Sequence, residues 1–410
     1  MQHVELLIQN AAQLVTCASR VPKRGAAMQD VGVIEGGAMA INAGEIVALG
    51  ATRDLAFEAD EIIDARGKVV CPGFVDPHTH VVYAGSRVDE FERRIRGESY
   101  QQIMAADGGI ASTVRATRQA NAAALVRQSS QRLAQMLVLG TTTAEVKTGY
   151  GLDLANEIKM LDAIELLAGA QPIELVPTYM PAHVVPDAFR GRGDAYVDLI
   201  VEAMLPAARG RARFVDVFCE RDAFDVAQSR RVLEAARGMG FAMKAHVDQF
   251  TELGGLAMAL EVGATSVDHL DVTGAAGIAA LARSNAIGVV IPTVSFNFGE
   301  TRFANARAML DAGAAIALTT DNNPGSAPCP SMPLAMAIAC RYQKLSPAEA
   351  LNASTVNAAW AIGVGDRVGS LQPGKQADVL IVDAPDYRAL AYEFGGNLVQ
   401  QVIKNGKLVA

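Results

Sequence analysis

Apolar and polar positions along this chain follow one rhythm at both ends and another in the middle. Within the first 65 residues, the runs Glu5–Ile8, Val31–Ile34, Gly37–Ile41, Glu45–Leu49 and Glu61–Asp64 are divided by Gly36-Gly37, Asn42-Ala43-Gly44 and Arg66-Gly67. Strand-length pieces broken by Gly and Asn turns predict antiparallel hairpins. The last 40 residues do the same: a turn-rich stretch from Gly369 to Asp378 leads into Val379–Val382, and the Asn405-Gly406 dipeptide sits between two short apolar runs. Asn-Gly is the strongest two-residue hairpin signal. Two strand-rich ends around a different middle predict that the termini meet in one small sheet domain.

From about Lys68 to Gly363, strand-length apolar runs alternate with helix-length segments. The predicted strands are Val69–Val75, Thr141–Val146, Ile173–Pro177, Phe214–Phe218, Ala242–Ala245, Ser266–Val267, Gly288–Ile291 and Ala315–Leu318. The predicted helices include Asn121–Leu139, Leu154–Ala168, Asp225–Arg237, Leu253–Val262 and Arg302–Asp311, several of them ending at Gly140, Gly238, Gly263 or Gly313. Eight strands with crossover helices is the count of a (β/α)8 TIM-like barrel, and such a barrel places functional residues just after its strands. The polar residues of interest fall there: His78 and His80, Lys147 to Tyr150, His183, Cys219-Glu220, His246, His269 and Asp321. An open doubly wound sheet would gather them at one switch point, and no Gly-x-Gly-x-x-Gly follows a strand here. The expected division is therefore 1–66 and 365–410 for the terminal sheet domain and 67–364 for the barrel.

Composition narrows the class. Hydrophobic residues make up 50% of the 410 positions but aromatic ones only 5%, so the core must be aliphatic. A net charge of −8 argues against nucleic acid as a partner, and no apolar run approaches the roughly 18 residues that cross a bilayer. The five cysteines are scattered with no C-x-x-C pair, and Met1–Val15 lacks the basic start of a signal peptide, so a cytoplasmic protein is expected.

Only six histidines are present, and all but His3 stand at the polar end of an apolar run. In Val70-Cys-Pro-Gly-Phe-Val-Asp-Pro-His78-Thr-His80, residues two apart on a strand point the same way, so both imidazoles can reach one point. With His246 and Asp321 they make a four-ligand set for a borderline divalent ion, Zn(II) or Fe(II). Asp321 could instead cap the turn before Asn322 and Pro324. Such an ion serves the hydrolysis of an amide-like bond, which also needs a proton carrier; His269 and Asp321 are the candidates.

These features resemble the amidohydrolase superfamily: His78-Thr-His80 after Pro72-Gly-Phe-Val-Asp76, a strand-end His246, the later His269, Thr320-Asp321, and the Gly369 to Asp378 return. The resemblance covers nearly the whole chain and implies a metal-bearing barrel flanked by a β-sandwich built from both chain ends. Six runs are more specific: Thr79-His-Val-Val-Tyr-Ala-Gly-Ser-Arg87, Glu145-Val-Lys-Thr-Gly-Tyr-Gly-Leu152, Pro177-Thr-Tyr-Met-Pro-Ala-His183, Val215-Asp-Val-Phe-Cys-Glu220, His246-Val-Asp-Gln249 and Thr320-Asp-Asn-Asn-Pro-Gly-Ser326. They resemble the branch that opens the ring amide of 4-imidazolone-5-propanoate to N-formimidoyl-L-glutamate, in histidine degradation, with one Zn or Fe ion per subunit of a homodimer.

That resemblance implies that Arg87 holds the propanoate, that Tyr150, His183, Gln249 and Ser326 contact the imidazolone, and that Asn323 and Gly325 meet the product. Arg87 could equally be a solvated charge near Arg93, Arg94 and Arg96. Some members carry a glutamate where this chain has Gln249, which cannot accept a proton; the role then passes to His269 with Asp321, or to Glu252 if its loop reaches. Glu220 is expected to support the site without touching a metal, and Lys147 to form an ion pair or face substrate. Two other functions compete: a related deaminase acting on an aromatic ring such as guanine, and a catalytically inactive scaffold on a metal-stabilised barrel.

Overall fold

The computed structural model describes residues 2–98 and 108–410. Five strands open the chain, β1 (Gln2–Val15), β2 (Val33–Asn42), β3 (Glu45–Ala51), β4 (Phe57–Asp64) and β5 (Val69–Pro72). Eight more follow: β6 (Phe74–Asp76), β7 (Thr141–Lys147), β8 (Glu174–Ala182), β9 (Phe214–Cys219), β10 (Ala242–Val247), β11 (Ser266–His269), β12 (Ile287–Val290) and β13 (Ala315–Leu318). Three close the chain, β14 (Val379–Val382), β15 (Val399–Lys404) and β16 (Lys407–Leu408).

Both termini share one mixed sheet, in the order β16-β15-β14-β5-β1-β2-β3, with β4 also paired to β1. The join is the antiparallel pairing of β5 with β14, Cys71 opposite Leu380. Alternate residues Leu6, Ile8, Val70, Val379 and Ile381 are buried in one apolar cluster, as period-two patterning requires. Asn405 and Gly406 take φ of 51° and 73° in the hairpin that sets Lys404 opposite Lys407. Those positive values are what a two-residue turn needs to match strand twist.

Strands β6 to β13 pair in sequence order, all parallel. The seam between β6 and β13 is bridged by side chains: Thr319 Oγ1 and Thr320 Oγ1 each donate to Asp76 at 2.5 Å, and Thr319 Oγ1 also reaches the His78 carbonyl at 2.7 Å. Just beyond, His80 N donates to Asn322 O at 3.0 Å. The result is a nearly closed (β/α)8 barrel beside the terminal sheet, as expected.

The run Val69–Val75, expected as one strand, is two. Gly73 breaks it, because a Cβ there would come within 2.2 Å of Thr142 Oγ1 and the Gly73 N–H is spent on Asp378 O. The first half therefore joins the terminal sheet and the second half starts the barrel. The helix expected over Arg302–Asp311 is shorter, Ala306–Asp311, since Asn305 accepts from Ala308 N and so caps its start. Leu154–Ala168 is a helix over the expected span, capped by Asp153 and burying Met160, Leu161, Ile164 and Leu167. The barrel floor is sealed by Val356–Ala361 against Val75, Phe214, Val289 and Ala317.

Candidate active site

The pleat that buries aliphatic side chains between β7 and β11 also turns polar ones into the barrel. Glu145 and Lys147 on β7, Lys244 and His246 on β10, and Ser266 and Asp268 on β11 are pairs two residues apart on one strand face. Lys147 Nζ sits 2.6 Å from Asp216 Oδ2 and 2.8 Å from Glu145 Oε2. Lys244 Nζ is 2.7 Å from both Glu145 Oε2 and the Pro77 carbonyl. All five charged groups are fully buried, so neither ammonium could remain charged without its carboxylates. Burial alone would lower the Lys147 pKa, but Asp216, Glu145 and Asp268 more than reverse it and hold it raised.

This network carries the histidines at the rim. Asp268 Oδ2 lies 2.6 Å from His78 Nδ1 and Asp216 Oδ1 lies 3.1 Å from His246 Nδ1. A carboxylate at Nδ1 accepts the hydrogen bond of an Nδ1–H and so leaves the Nε2 lone pair free to ligate a metal. His78 Nε2, His246 Nε2 and Asp321 Oδ1 are buried with no hydrogen-bond partner among the described residues. Asp321 Oδ1 is 3.7 Å from His78 Nε2 and 3.8 Å from His80 Nε2, and single nitrogens of His78, His80 and His246 all lie within 4.8 Å of one another. Unpaired buried polar atoms are costly, and three of them aimed together fit a cation.

The electrostatics of the site point the same way. Burial, with Lys147 and the neighbouring imidazoles, holds His78 well below its ordinary pKa, and burial with His183, His246 and Lys147 does the same for His80. Neutral imidazoles are the ligand form. Burial pushes the Asp321 carboxyl up to about 8, a push that a nearby cation would oppose.

Of the residues expected from the sequence, His80, Tyr150, His183, His246, Gln249, His269, Asp321, Asn323 and Ser326 line one cavity of about 80 Å³, with Ile110 and Phe218 completing the wall. His78 lies fully buried against it. The His183 ring stacks on His80 with centroids 5.1 Å apart, and its Nδ1 is 3.0 Å from Gly149 O. Tyr150 sits on a loop shaped by a residue that no motif singled out: the buried Glu157 carboxylate accepts from the N–H groups of Gly149, Gly151 and Leu152 at 2.7 to 3.2 Å. A side chain at Gly151 would strike Glu157 N at 2.4 Å. Asn323 organises its own loop, accepting from Gly325 N and Ser326 N at 2.8 Å and donating to Asp321 O.

Arg87 is not a solvated charge. It is paired with Glu90 (2.7 Å) and only 17% exposed, and its Nη1 packs on Gly325 so closely that a Cβ there would come within 2.0 Å of it. Glu90 also accepts from Gly109 N and Ser112 Oγ. Glu220 takes the N–H groups of Phe250 and Thr251 at 2.8 and 3.0 Å, holding the loop that carries Gln249. Glu252 does not reach the cavity; its carboxylate faces Gly274 N at 3.3 Å. Lys147 is a fully buried ion-pair residue inside the barrel and is not on the wall of that cavity.

A family model described as the amidohydrolase family matches residues 69–409. Imidazolonepropionase of Chloroflexus aggregans is 60% identical over 423 aligned residues, covering 100% of this chain and 99% of the relative. Imidazolonepropionase of Herpetosiphon aurantiacus is 50% identical, with 100% and 98% covered, and that of Geobacillus kaustophilus 46% identical, with 98% and 97% covered. Among solved structures, an adenosine deaminase from Xanthomonas campestris with bound zinc superposes with a TM-score of 0.73 at 20% identity, covering 99% of this chain and 93% of that one. Guanine deaminase of E. coli gives 0.66 at 16% identity, with 98% and 99% covered; likeness at that identity speaks to the fold alone. The chain belongs to the amidohydrolase family, and within it to the imidazolonepropionases.

Proposed function

We propose that this enzyme hydrolyses the ring amide of 4-imidazolone-5-propanoate, giving N-formimidoyl-L-glutamate in histidine degradation, with the residues in the roles that follow. The observation that carries a hydrolytic reading is the meeting of His78 Nε2, His246 Nε2 and Asp321 Oδ1, buried and without partners. A single divalent ion, Zn(II) or Fe(II), held by His78, His80, His246 and Asp321, would supply Lewis acidity, polarising a carbonyl oxygen and acidifying water at neutral pH.

The protein's own groups do the rest. Arg87 binds the propanoate through Nη1, the guanidinium nitrogen that Glu90 leaves free. Tyr150, His183, Gln249 and Ser326 orient the ring, and Asn323 and Gly325 meet the product. Asp321 Oδ2 and His269 Nε2 carry the proton released as water adds to the ring carbonyl carbon. That proton goes to the ring nitrogen as its bond to that carbon breaks, and the water oxygen ends in the new carboxylate. Gln249, an amide, takes no part in the transfer. A cytoplasmic homodimer goes with this reading, and five unpaired cysteines support a reducing compartment.

Incubating purified enzyme with 4-imidazolone-5-propanoate tests the reaction: imidazolone absorbance should fall, mass spectrometry should find the substrate plus one water, and no ammonia should appear. Ammonia release would favour a deaminase. Arg87→Ala should raise KM about 10- to 100-fold, since a charge-assisted hydrogen bond contributes about 1.5–3 kcal/mol, and leave metal content alone. Gly325→Ala should do the same by displacing the guanidinium. Unchanged steady-state kinetics in both would remove Arg87 from the site.

A further inference from the structure

Asp271 is a buried carboxylate that neither the cation site nor the substrate wall uses. It lies two residues past the end of β11, at the tip of a sharp reversal. His269 and Leu270 have φ of +83° and +66°, left-handed values that cost a side-chain-bearing residue of the order of 1 kcal/mol each. The reversal is held by Leu270 N to Val247 O at 3.2 Å, Val272 N to Asp248 O at 2.9 Å and Thr273 Oγ1 to Asp248 Oδ2 at 2.9 Å.

What that strained turn achieves is a meeting of two atoms. Asp271 Oδ2 is swung back to 3.8 Å from His269 Nδ1. Both atoms are buried, and neither has a hydrogen-bond partner among the described residues. The carboxylate is otherwise held by a long hydrogen bond to Oδ1, 3.4 Å from Ser295 Oγ, and by the backbone of Ala304. The side chain borders two hollows, of about 480 and 40 Å³, that Arg302 also lines, and is absent from the wall of the substrate cavity. His269 does line that cavity. Asp271 thus approaches the imidazole from the side away from substrate.

We propose that Asp271 is a positioning residue: it accepts the Nδ1 proton of His269, fixing the tautomer whose Nε2 faces the substrate cavity. A neutral imidazole has one N–H, and the partner it finds decides which nitrogen carries it. Without Asp271, the two tautomers of His269 differ little in energy and the form with an Nε2 lone pair is a fraction of the whole. With it, Nε2 is held as an acceptor and the imidazolium that follows proton uptake is stabilised by the carboxylate behind it. A closure of less than 1 Å would bring 3.8 Å to hydrogen-bond length, and catalytic contacts are often this loose before substrate binds. Burial pushes the Asp271 carboxyl up to about 8, and an N–H donated to it works against that push.

The inference rests on His269 as proton carrier, so the test separates the two. Enzyme labelled with 15N-histidine is examined by NMR, with His269→Gln assigning the resonances. In the parent, His269 should be protonated at Nδ1; in Asp271→Ala the Nε2–H form should appear. Asp271→Asn and Asp271→Ala should lower kcat about 10- to 100-fold, less than the full general acid–base contribution of about 10²–10⁴, with KM within about 2-fold and metal content unchanged. Asp271→Glu should recover part of the loss. An unchanged tautomer in Asp271→Ala, or a kcat loss that only tracks lost metal or a lowered melting temperature, overturns the proposal. A fully active His269→Gln would instead overturn the proton-carrier reading, leaving the tautomer result to stand on its own.

Discussion

Asp321→Asn is expected to lower kcat by at least about 10²–10⁴-fold, the range for a general acid–base group, and to weaken metal binding at the same time. The substitution is nearly isosteric. Asp321 has φ of +47°, a conformation asparagine tolerates better than most residues, and its N–H is held by Thr319 Oγ1 at 3.1 Å whatever the side chain. Fold and cavity shape are therefore kept while the negative charge goes. The lost charge faces His78 Nε2 and His80 Nε2 at 3.7 and 3.8 Å, where only neutral imidazoles would remain to bind a dication. Elemental analysis after dialysis, beside steady-state kinetics, reads both effects. A variant that keeps its metal and more than a tenth of parental kcat would remove Asp321 from both roles.

Lys147→Met is expected to cost the metal-free protein about 3–5 kcal/mol of stability, as breaking a buried ion pair from one side does. Methionine fills the space but leaves Glu145, Asp216 and Asp268 with one ammonium instead of two. Lys147 touches Glu145 and Asp216 directly and approaches Asp268 Oδ2 to 3.7 Å. Urea unfolding of metal-free protein gives the loss without a contribution from ligand binding. Because Asp216 also backs His246, metal affinity should fall too. A loss under about 1 kcal/mol would mean that the network is looser than the 2.6 and 2.8 Å contacts indicate.

The rim of the site could be read from the sequence because barrel strands end in polar residues, and a pattern of apolar run followed by His or Asp survives without knowing which strands touch. His78 and His80 needed only strand periodicity. His246 and Asp321 needed the assumption that separate strand ends converge. The interior charges were harder. Glu145, Lys147, Asp216, Lys244 and Asp268 sit inside apolar runs where a hydropathy reading expects aliphatic residues, and apart from near neighbours such as Glu145 and Lys147 many of their partners lie 30 to 190 positions away. A signal did exist: polar residues at every second position of an otherwise apolar strand. β1 runs from Gln2 to Val15, far beyond the expected Glu5–Ile8, because it bulges between Ile8 and Ala11 with Asn10 at φ +60°. Such a bulge interrupts the alternation that pattern reading depends on. The turn that returns Asp271 to His269 left no mark either, since it uses left-handed backbone at His and Leu instead of glycine.

Anomalous diffraction at the absorption edge of the bound metal would bear most directly on the convergence of residues 78 to 321 around one cation. The account predicts a single peak, at about 2.0–2.2 Å from His78 Nε2, His80 Nε2, His246 Nε2 and an Asp321 carboxylate oxygen. A peak that omits Asp321, or one seated instead among His78, Glu145 and Asp268 where the two lysine ammoniums now lie, would contradict it.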